Sequence, residues 1–477
     1  MSTPAPPHDY VTDTLYADRV FRELSPAWLN YVAAINGGAP RPLDAPFTYL
    51  EMGCGLGSSA VVNAGSFPQG EFHACDLNAG HIESGTRLAA DLGVGNVRFH
   101  HATFEHLLTL DLPAFDFIAL HGVYTWVGAE AREAIRRVIA ARLKPGGLVY
   151  VSYNCLPGWA AEAPLRALMV ELARTETGDT AHRARSAVRT MERLRDARLR
   201  FFRSNPAAAS ALEAYARQPG EYLAHEFLNE TWDLFSSPDV ADQMAAIGLG
   251  FLGSATLADN HPALVLESQA AEAITALATE RARQLAIDLA VNQRFRRDVF
   301  VRGGARFDPG TVARHVGALV IGSLEPERIA SRVLVPRGEI RFQDALVGDL
   351  RSLMAAGSMT MDDLVDTLAG RGADAGEIAR NVTFLVAADA LMPFARVHSA
   401  GGMPPRRTAS PMLARALPLA IDGVLRAIPS EVAGTGVPIQ PAEALAVKEW
   451  LSGADGHTMT ADVIRLVPAF ARLGWLA

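Results

Sequence analysis

Short apolar runs alternate along the first part of the chain with stretches whose apolar positions recur at helical spacing. The runs at Phe47–Met52, Glu71–Asp76, Asn96–His101, Phe115–Leu120 and Leu148–Tyr153 predict five strands. Helical spacing follows from Ser58, over Gly80–Leu92 and over Ala129–Leu143, where Lys144-Pro-Gly-Gly147 breaks the pattern. Ahead of them, residues 1–10 form a loose arm and Asp18–Ala34 a helical lead-in, with a new helix start at Ser25-Pro26, placed to pack over a ligand site. A Gly/Pro loop at Gly37–Pro46 leads into the first strand. Strand–helix alternation over this length predicts an α/β fold, a parallel sheet wrapped on both sides, with ligands at the carboxyl ends of its strands.

Trp159–Gln243 is mostly helical and too long for a simple crossover, so it reads as an insertion. Gly248–Leu257 predicts a sixth strand, residues 270–291 an apolar helix, and Arg297–Arg302 a seventh strand. Gly303–Gly310 is the best domain boundary. Beyond it, β-like runs at 311–342 precede helical patterns at Asp344–Ala355, Met361–Leu368 and Asp374–Ala390 and a strand at Leu391–Ala395, which suggests a winged-helix shape. Ser399–Pro411 is a linker, and the last helices fall near 414–427, 441–452 and 461–472. The expected layout is an arm and lead-in at 1–46, a ligand-binding α/β domain at 47–305 with its insertion at about 159–243, a winged-helix-like domain at 311–398, and a helical region at 412–477.

The 477 residues suffice for two or three domains, and 49% hydrophobic with 20% charged residues describes a soluble globular chain. No apolar run approaches the ~18–20 residues of a membrane span, and the opening Met1–Pro7 lacks the features of a signal peptide. Cys54, Cys75 and Cys155 build neither a disulfide framework nor a zinc site, so no metal is expected and the location read is cytoplasmic. A net charge of −8 argues against nucleic acid as a partner, and residues 341–400 carry five arginines against eight acids, the wrong sign for a phosphate surface. Only Lys144 and Lys448 are lysine among 44 basic residues. A lysine-modifying enzyme that spares itself would show this, but compositional bias, visible also in the abundant Ala and Gly, is the simpler account.

Tyr49-Leu-Glu-Met-Gly-Cys-Gly-Leu-Gly-Ser58 is the stretch that carries chemistry. It reads as strand, glycine turn and helix, with Glu51 just ahead of Gly53, Gly55 and Gly57. Glycines there let the backbone approach a ligand that a Cβ would block. Gly55-Leu-Gly57-Ser-Ser-Ala60 also fits the dinucleotide pattern of a dehydrogenase. Asp76, ending the second strand, lies near the ~20-residue offset of a carboxylate that takes ribose hydroxyls.

Glu51-x-Gly53-x-Gly55-x-Gly57, Asp76 and Pro145-Gly-Gly147 together resemble the class I S-adenosylmethionine-dependent methyltransferases, with their Rossmann-like seven-stranded sheet, and demote the dehydrogenase reading. His121–Trp126, Ser152–Trp159, Tyr222–Glu230 and Phe295–Arg302 resemble bacterial members carrying a methyltransferase regulatory domain. That group includes protein lysine methyltransferases acting on outer-membrane proteins. The likeness covers roughly residues 10–305.

The resemblance implies S-adenosyl-L-methionine as cofactor. Gly53, Gly55 and Gly57 would border its methionine part, Asp76 its ribose and Leu77 its adenosine; Ala102, Thr103 and Phe104 would lie near adenine, His121 with Gly122 beside the sulfonium, and Glu51 and Cys54 are further cofactor-binding candidates. Where amino-methylating relatives place Asn/Asp-Pro-Pro-Tyr/Phe, this chain has His121-Gly-Val-Tyr124, which keeps only the final aromatic. Tyr124, Trp126 and Tyr153 are candidate walls of an acceptor channel, and Asn154 a hydrogen-bonding positioner. His121, His225 and Glu226 are candidate proton acceptors. The expected function is methyl transfer to a protein side-chain nitrogen. Alternatives are a small-molecule O- or N-methyltransferase, or a regulatory protein that holds the nucleoside without turnover. Expected partners are a protein or small-molecule methyl acceptor and a second copy in a homodimer, with neither nucleic acid nor membrane.

Overall fold

The computed structural model describes residues 19–303, 307–372, 374–399, 407–453 and 461–476. The arm read at 1–10, part of the Gly303–Gly310 boundary and most of the Ser399–Pro411 linker lie outside the described residues. A short 3-10 turn at Arg22–Leu24 leads into helix α1 (Pro26–Ile35), started by Ser25, whose side chain accepts from the Ala27 N–H, with Pro26 at a first-turn position.

Seven strands form the central sheet: β1 (Phe47–Met52), β2 (Gly70–Asp76), β3 (Val97–His101), β4 (Phe115–Leu120), β5 (Leu143–Asn154), β6 (Leu249–Ser254) and β7 (Phe295–Arg302). Their spatial order is β3-β2-β1-β4-β5-β7-β6. The strands β1 to β5 pair in parallel, as the alternation predicts. The seventh strand departs from that expectation: β7 runs antiparallel between β5 and β6, so the sheet is mixed. Lys144–Gly147 also differs from the reading. It does not precede the fifth strand but lies within it, where pairing with β4 slips between Phe115 and Phe117. Lys144 is tied there, its Nζ 2.7 Å from Asp116 Oδ2.

Side chains alternate between two cores. Tyr49, Phe117, Ala119 and Tyr150 face α1 and α2 (Ser58–Ser66), in a cluster that α3 (Ala79–Leu92) joins through Leu88 and Leu92. Leu50, Met52, Ile118, Leu120, Val149 and Val151 face the other side, with α4 (Phe104–Leu107), α5 (Ala129–Arg142) and α11 (Ser237–Ala245). All six β4 residues are buried, as in a strand covered on both faces.

The insertion comprises α6 (Ala163–Arg174), α7 (Thr180–Asp196), α8 (Arg200–Ser204), α9 (Pro206–Ala216) and α10 (Gly220–Phe227), with a core of its own. Helix α11 (Ser237–Ala245) returns the chain to the sheet. The expected single helix at 270–291 is two, α13 (Ser268–Thr275) and α14 (Glu280–Val291), preceded by the short α12 (Pro262–Val265).

Beyond the sheet, α15 (Pro309–Gly317), β8 (Val320–Gly322), the hairpin β9 (Arg332–Val335) and β10 (Gly338–Arg341), α16 (Asp344–Ala356), β11 (Gly357–Thr360), α17 (Met361–Ala369), α18 (Ala375–Ala387), β12 (Met392–Phe394) and β13 (His398–Ser399) follow. A four-stranded sheet of order β12-β8-β11-β13 joins them. The last part holds α19 (Pro411–Ile421), a hairpin of β14 (Ala427–Ser430) and β15 (Thr435–Pro438), α20 (Pro441–Leu451) and α21 (Ala461–Arg472). The hairpin fills the gap between two expected helices, where no element was read, and it packs on α2.

Candidate active site

The glycine turn after β1 is built from left-handed backbone: φ is 74° at Gly53, 55° at Gly55 and 81° at Gly57. The reasons differ. A Cβ on Gly53 would lie 2.5 Å from Val123 Cγ2, and one on Gly57 would lie 2.7 Å from the Phe99 ring. A Cβ on Gly55 would meet nothing within 4 Å. Gly53 and Gly57 therefore serve packing, and Gly55 borders open space.

Asp76 closes the turn from β2. Its Oδ2 accepts from the Gly55 N–H at 2.9 Å, and its Oδ1 accepts from the Asn78 N–H at 2.9 Å and lies 3.1 Å from His81 Nδ1. One acceptor position of the pair's four thus stays open on Oδ2. Glu51 sits beneath, 4% exposed, and its Oε2 has no hydrogen-bond partner among the described residues. Burial, reinforced by repulsion from Asp76, pushes its carboxyl up to about 8. Cys54 and Cys75 are buried beside it, and burial raises both thiols, Cys75 to about 12, so they stay neutral.

Leu77, Ala102, Thr103 and Phe104 follow the carboxyl ends of β2 and β3. The Ala102 N–H donates to Asp76 O at 3.1 Å, the Leu77 carbonyl lies 2.9 Å from His101 Nε2, and Thr103 caps α4 through its side chain. After β4, Gly122 has φ 64° and open space where a Cβ would stand, while its N–H donates to Ser152 Oγ at 2.8 Å. The cofactor candidates are thereby gathered along the adjoining ends of β3, β2, β1 and β4.

His121 is covered by Phe21 of the lead-in, ring centroids 3.8 Å apart, and its Nδ1 lies 2.8 Å from the Tyr150 hydroxyl. Burial, aided by Arg297, lowers its pKa to about 3. An imidazole that stays neutral so far down is a poor proton acceptor near neutrality.

Two candidate walls need correction. Tyr124 and Tyr153 are fully buried in the core on the α5 and α11 side of the sheet. Tyr124 donates to Gln243 Oε1 at 2.6 Å and Tyr153 to Asp298 Oδ2 at 2.5 Å. Neither ring is exposed to a substrate, and both pack against Phe235.

Asn154 and Glu226 meet where the insertion joins β5. Asn154 ends β5, its backbone N–H donating to Thr125 Oγ1 at 2.8 Å. Glu226, on α10, is partly exposed; burial pushes its carboxyl up to about 7, against the lowering effects of the Asn154 amide and Arg294. His225 is buried next to it on α10. Tyr222, on the same helix, is 47% exposed.

Sequence reasoning missed the rest of this corner. Arg294 stands 3.9 Å from the Trp159 ring centroid and donates to Glu162, to which Tyr215 also donates. Trp159 and Trp232 pack edge to face at 5.3 Å, and Trp126 packs against the same cluster. The indole N–H groups of Trp126, Trp159 and Trp232 are buried without a partner among the described residues. Trp159 and Trp232 within one helical insertion were the available signal, Trp126 being a candidate wall already.

An open cradle at Gly55 over a buried carboxylate, one oxygen of which has no partner among the described residues, suits a ligand that approaches backbone closely and brings positive charge. S-adenosylmethionine, with an ammonium and a sulfonium, is such a ligand, and these residues fit it.

Residues 50–147 match the family model of a methyltransferase domain, and residues 219–302 match that of a predicted methyltransferase regulatory domain. An uncharacterized protein of Synechocystis sp. is 34% identical over 356 residues, covering 74% of this chain and 70% of its own. An uncharacterized protein of Rickettsia prowazekii is 29% identical over 45% of this chain and 85% of its own. Among solved structures, PKMT2 from Rickettsia typhi superposes with a TM-score of 0.71 at 18% identity in its complex with AdoHcy, covering 97% of this chain and 99% of that one, which shows a common fold. The chain belongs to the S-adenosylmethionine-dependent methyltransferases that carry a methyltransferase regulatory domain.

Proposed function

We propose that this methyltransferase methylates a side-chain nitrogen of a protein, of the lysine type. The observation that carries the reading is Glu226, a shielded carboxyl near neutral pKa on α10, held by Asn154 at the carboxyl end of β5, in the insertion whose core contains Trp159 and Trp232. The likeness to PKMT2 of Rickettsia typhi supports it.

The cofactor supplies a methyl group already activated on sulfur, so the chain must align, shield and handle one proton. Gly53, Gly55 and Gly57 bring backbone to the nucleoside, Asp76 offers its open lone pair to a ribose hydroxyl, and Glu51 faces the positive end. Phe21 over His121 excludes water from that side. A lysine ammonium has a pKa of ~10.4, so presenting it neutral at about pH 7.4 costs about 4 kcal/mol. Apolar, aromatic surroundings lower that cost, and Trp126, Trp159 and Trp232 provide them. Glu226 then takes the proton, its own pKa matched to the operating range.

The test uses methyl-labelled donor, cell lysate and the full chain, followed by amino-acid analysis. Label recovered as methyl-lysine is expected, and Glu226→Gln should lower kcat by ~10²–10⁴-fold while S-adenosylhomocysteine still binds. Label confined to small molecules would overturn the protein acceptor.

A further inference from the structure

The free edge of the central sheet holds a cavity of about 230 Å³ between β6, the turn after it and the α13–α14 pair. It lies two strands out from β5, away from the glycine turn. One wall is apolar, with Leu252 and Ile274; the other carries Asp259, Glu280 and Asp288 against Arg283 and Arg296.

Both arginines have committed donors. Arg296 donates to Asp288 at 2.6 Å, to Asp298 at 2.9 Å and to Gln284 at 2.9 Å. Arg283 donates to Glu280 at 3.0 Å and to the Leu277 carbonyl at 2.6 Å. Asp259 is different. Its nearest polar contacts, Ser254 Oγ at 3.3 Å and the Gln293 amide at 3.5 Å, are long, and no ion pair to it exists among the described residues. Spare acceptor capacity and net negative charge on the wall call for a ligand that brings N–H donors and a positive charge. Among the described residues no group of three or more His, Cys, Asp or Glu is arranged to hold a metal ion, and the apolar wall favours an organic body. At this volume the ligand is smaller than the drug-sized occupants of ~300–1,000 Å³ sites.

We propose that this cavity is a second ligand site, separate from the methyl-transfer crevice, which takes a small organic ammonium or guanidinium ion with Asp259 as counter-ion. Burial raises the Asp259 carboxyl to about 6, although Arg296 pulls the other way, so an arriving cation relieves an unpaired charge. Its floor adjoins the crevice through one chain of contacts. Arg296 holds Asp298, which accepts from Tyr153 on β5, one residue before Asn154.

Isothermal titration of the full chain with agmatine and putrescine, with succinate as the anionic control, tests the proposal. Saturable binding of one cation per chain is expected, weakened roughly 10- to 100-fold in Asp259→Asn. It should be lost in Ile274→Trp, which fills the apolar wall. S-adenosylhomocysteine binding measures folding in both variants and should stay at the wild-type value. Absence of cation binding at millimolar concentration, equal binding by both variants, preference for succinate, or displacement by S-adenosylhomocysteine would each overturn it.

Discussion

Glu51 is a buried carboxylate whose Oε2 has no partner among the described residues, and such a group resolves its cost by holding a proton until a cation arrives. Its pKa of about 8 lies above the ordinary 4.5, so the folded chain keeps a proton that the unfolded chain releases. The stability from that proton is fully present below pH 4.5 and is lost as pH rises through 8. A cationic ligand at the glycine turn favours the ionised form. Binding of S-adenosylmethionine near pH 7 is therefore expected to release up to one proton, read by calorimetry in buffers of different protonation enthalpy. Glu51→Gln should bind more weakly and release none; undiminished release in that variant would remove Glu51 from the site. Glu51 and Asp76 were legible because each ends an apolar run beside the glycines. Tyr124 and Tyr153 were not. The left-handed Gly122 interrupts the two-residue alternation that would have carried the count of faces from Phe117 to Tyr124, and nothing in the sequence says which face of β5 meets the crevice.

Elements were readable where a periodic run had clean boundaries. Strands β1 to β4 and helices α2, α3 and α5 stand within a residue or two of their expected limits. The β14–β15 hairpin was hidden because Pro429 and Pro438 lie within its runs and Gly436 thins the second, all of which count against a strand. The reversal of β7 leaves no periodic trace either, since direction is set by the length and packing of what precedes it. Within the glycine turn, structure now separates two residues that look alike in sequence. Gly57→Ala sets a methyl against the Phe99 ring and the Gly85 Cα of α3, at a positive φ, and should destabilise the chain by about 2–4 kcal/mol. Gly55→Ala meets no neighbour, so it carries only the backbone strain of about 1–2 kcal/mol, yet it fills the cradle. Thermal melting and S-adenosylhomocysteine titration should therefore rank the pair oppositely: Gly57→Ala the less stable, Gly55→Ala the weaker binder. Wild-type affinity in Gly55→Ala would show that the open space is not the ligand's.

At the scale of the molecule, the C-terminal region is part of the body that holds the crevice. One hydrophobic core runs from Leu24 through Tyr49 and Phe67 to Trp475. Polar ties reinforce it: Ser25 Oγ donates to the Gly434 carbonyl at 2.5 Å, the Ser430 N–H to Ser66 Oγ at 3.1 Å, and Arg22 pairs with Asp389 at 2.6 Å. These contacts hold the lead-in whose Phe21 covers His121, so the β14–β15 turn and the cofactor crevice share a support. Gly434 has φ 66°, and a Cβ there would lie 2.5 Å from Ala395 Cβ and 2.9 Å from the Phe67 ring. Gly434→Val combines that overlap with a β-branched residue in left-handed backbone, a cost of about 2–5 kcal/mol. A shared core predicts one calorimetric transition for the sheet and the C-terminal region together, lowered by about 2–5 °C in the variant. S-adenosylhomocysteine should raise that single transition in both proteins, and bind the variant more weakly because the lead-in has lost its backing. Two separated transitions, of which the ligand moves only one, would show instead that the C-terminal region and the crevice unfold independently.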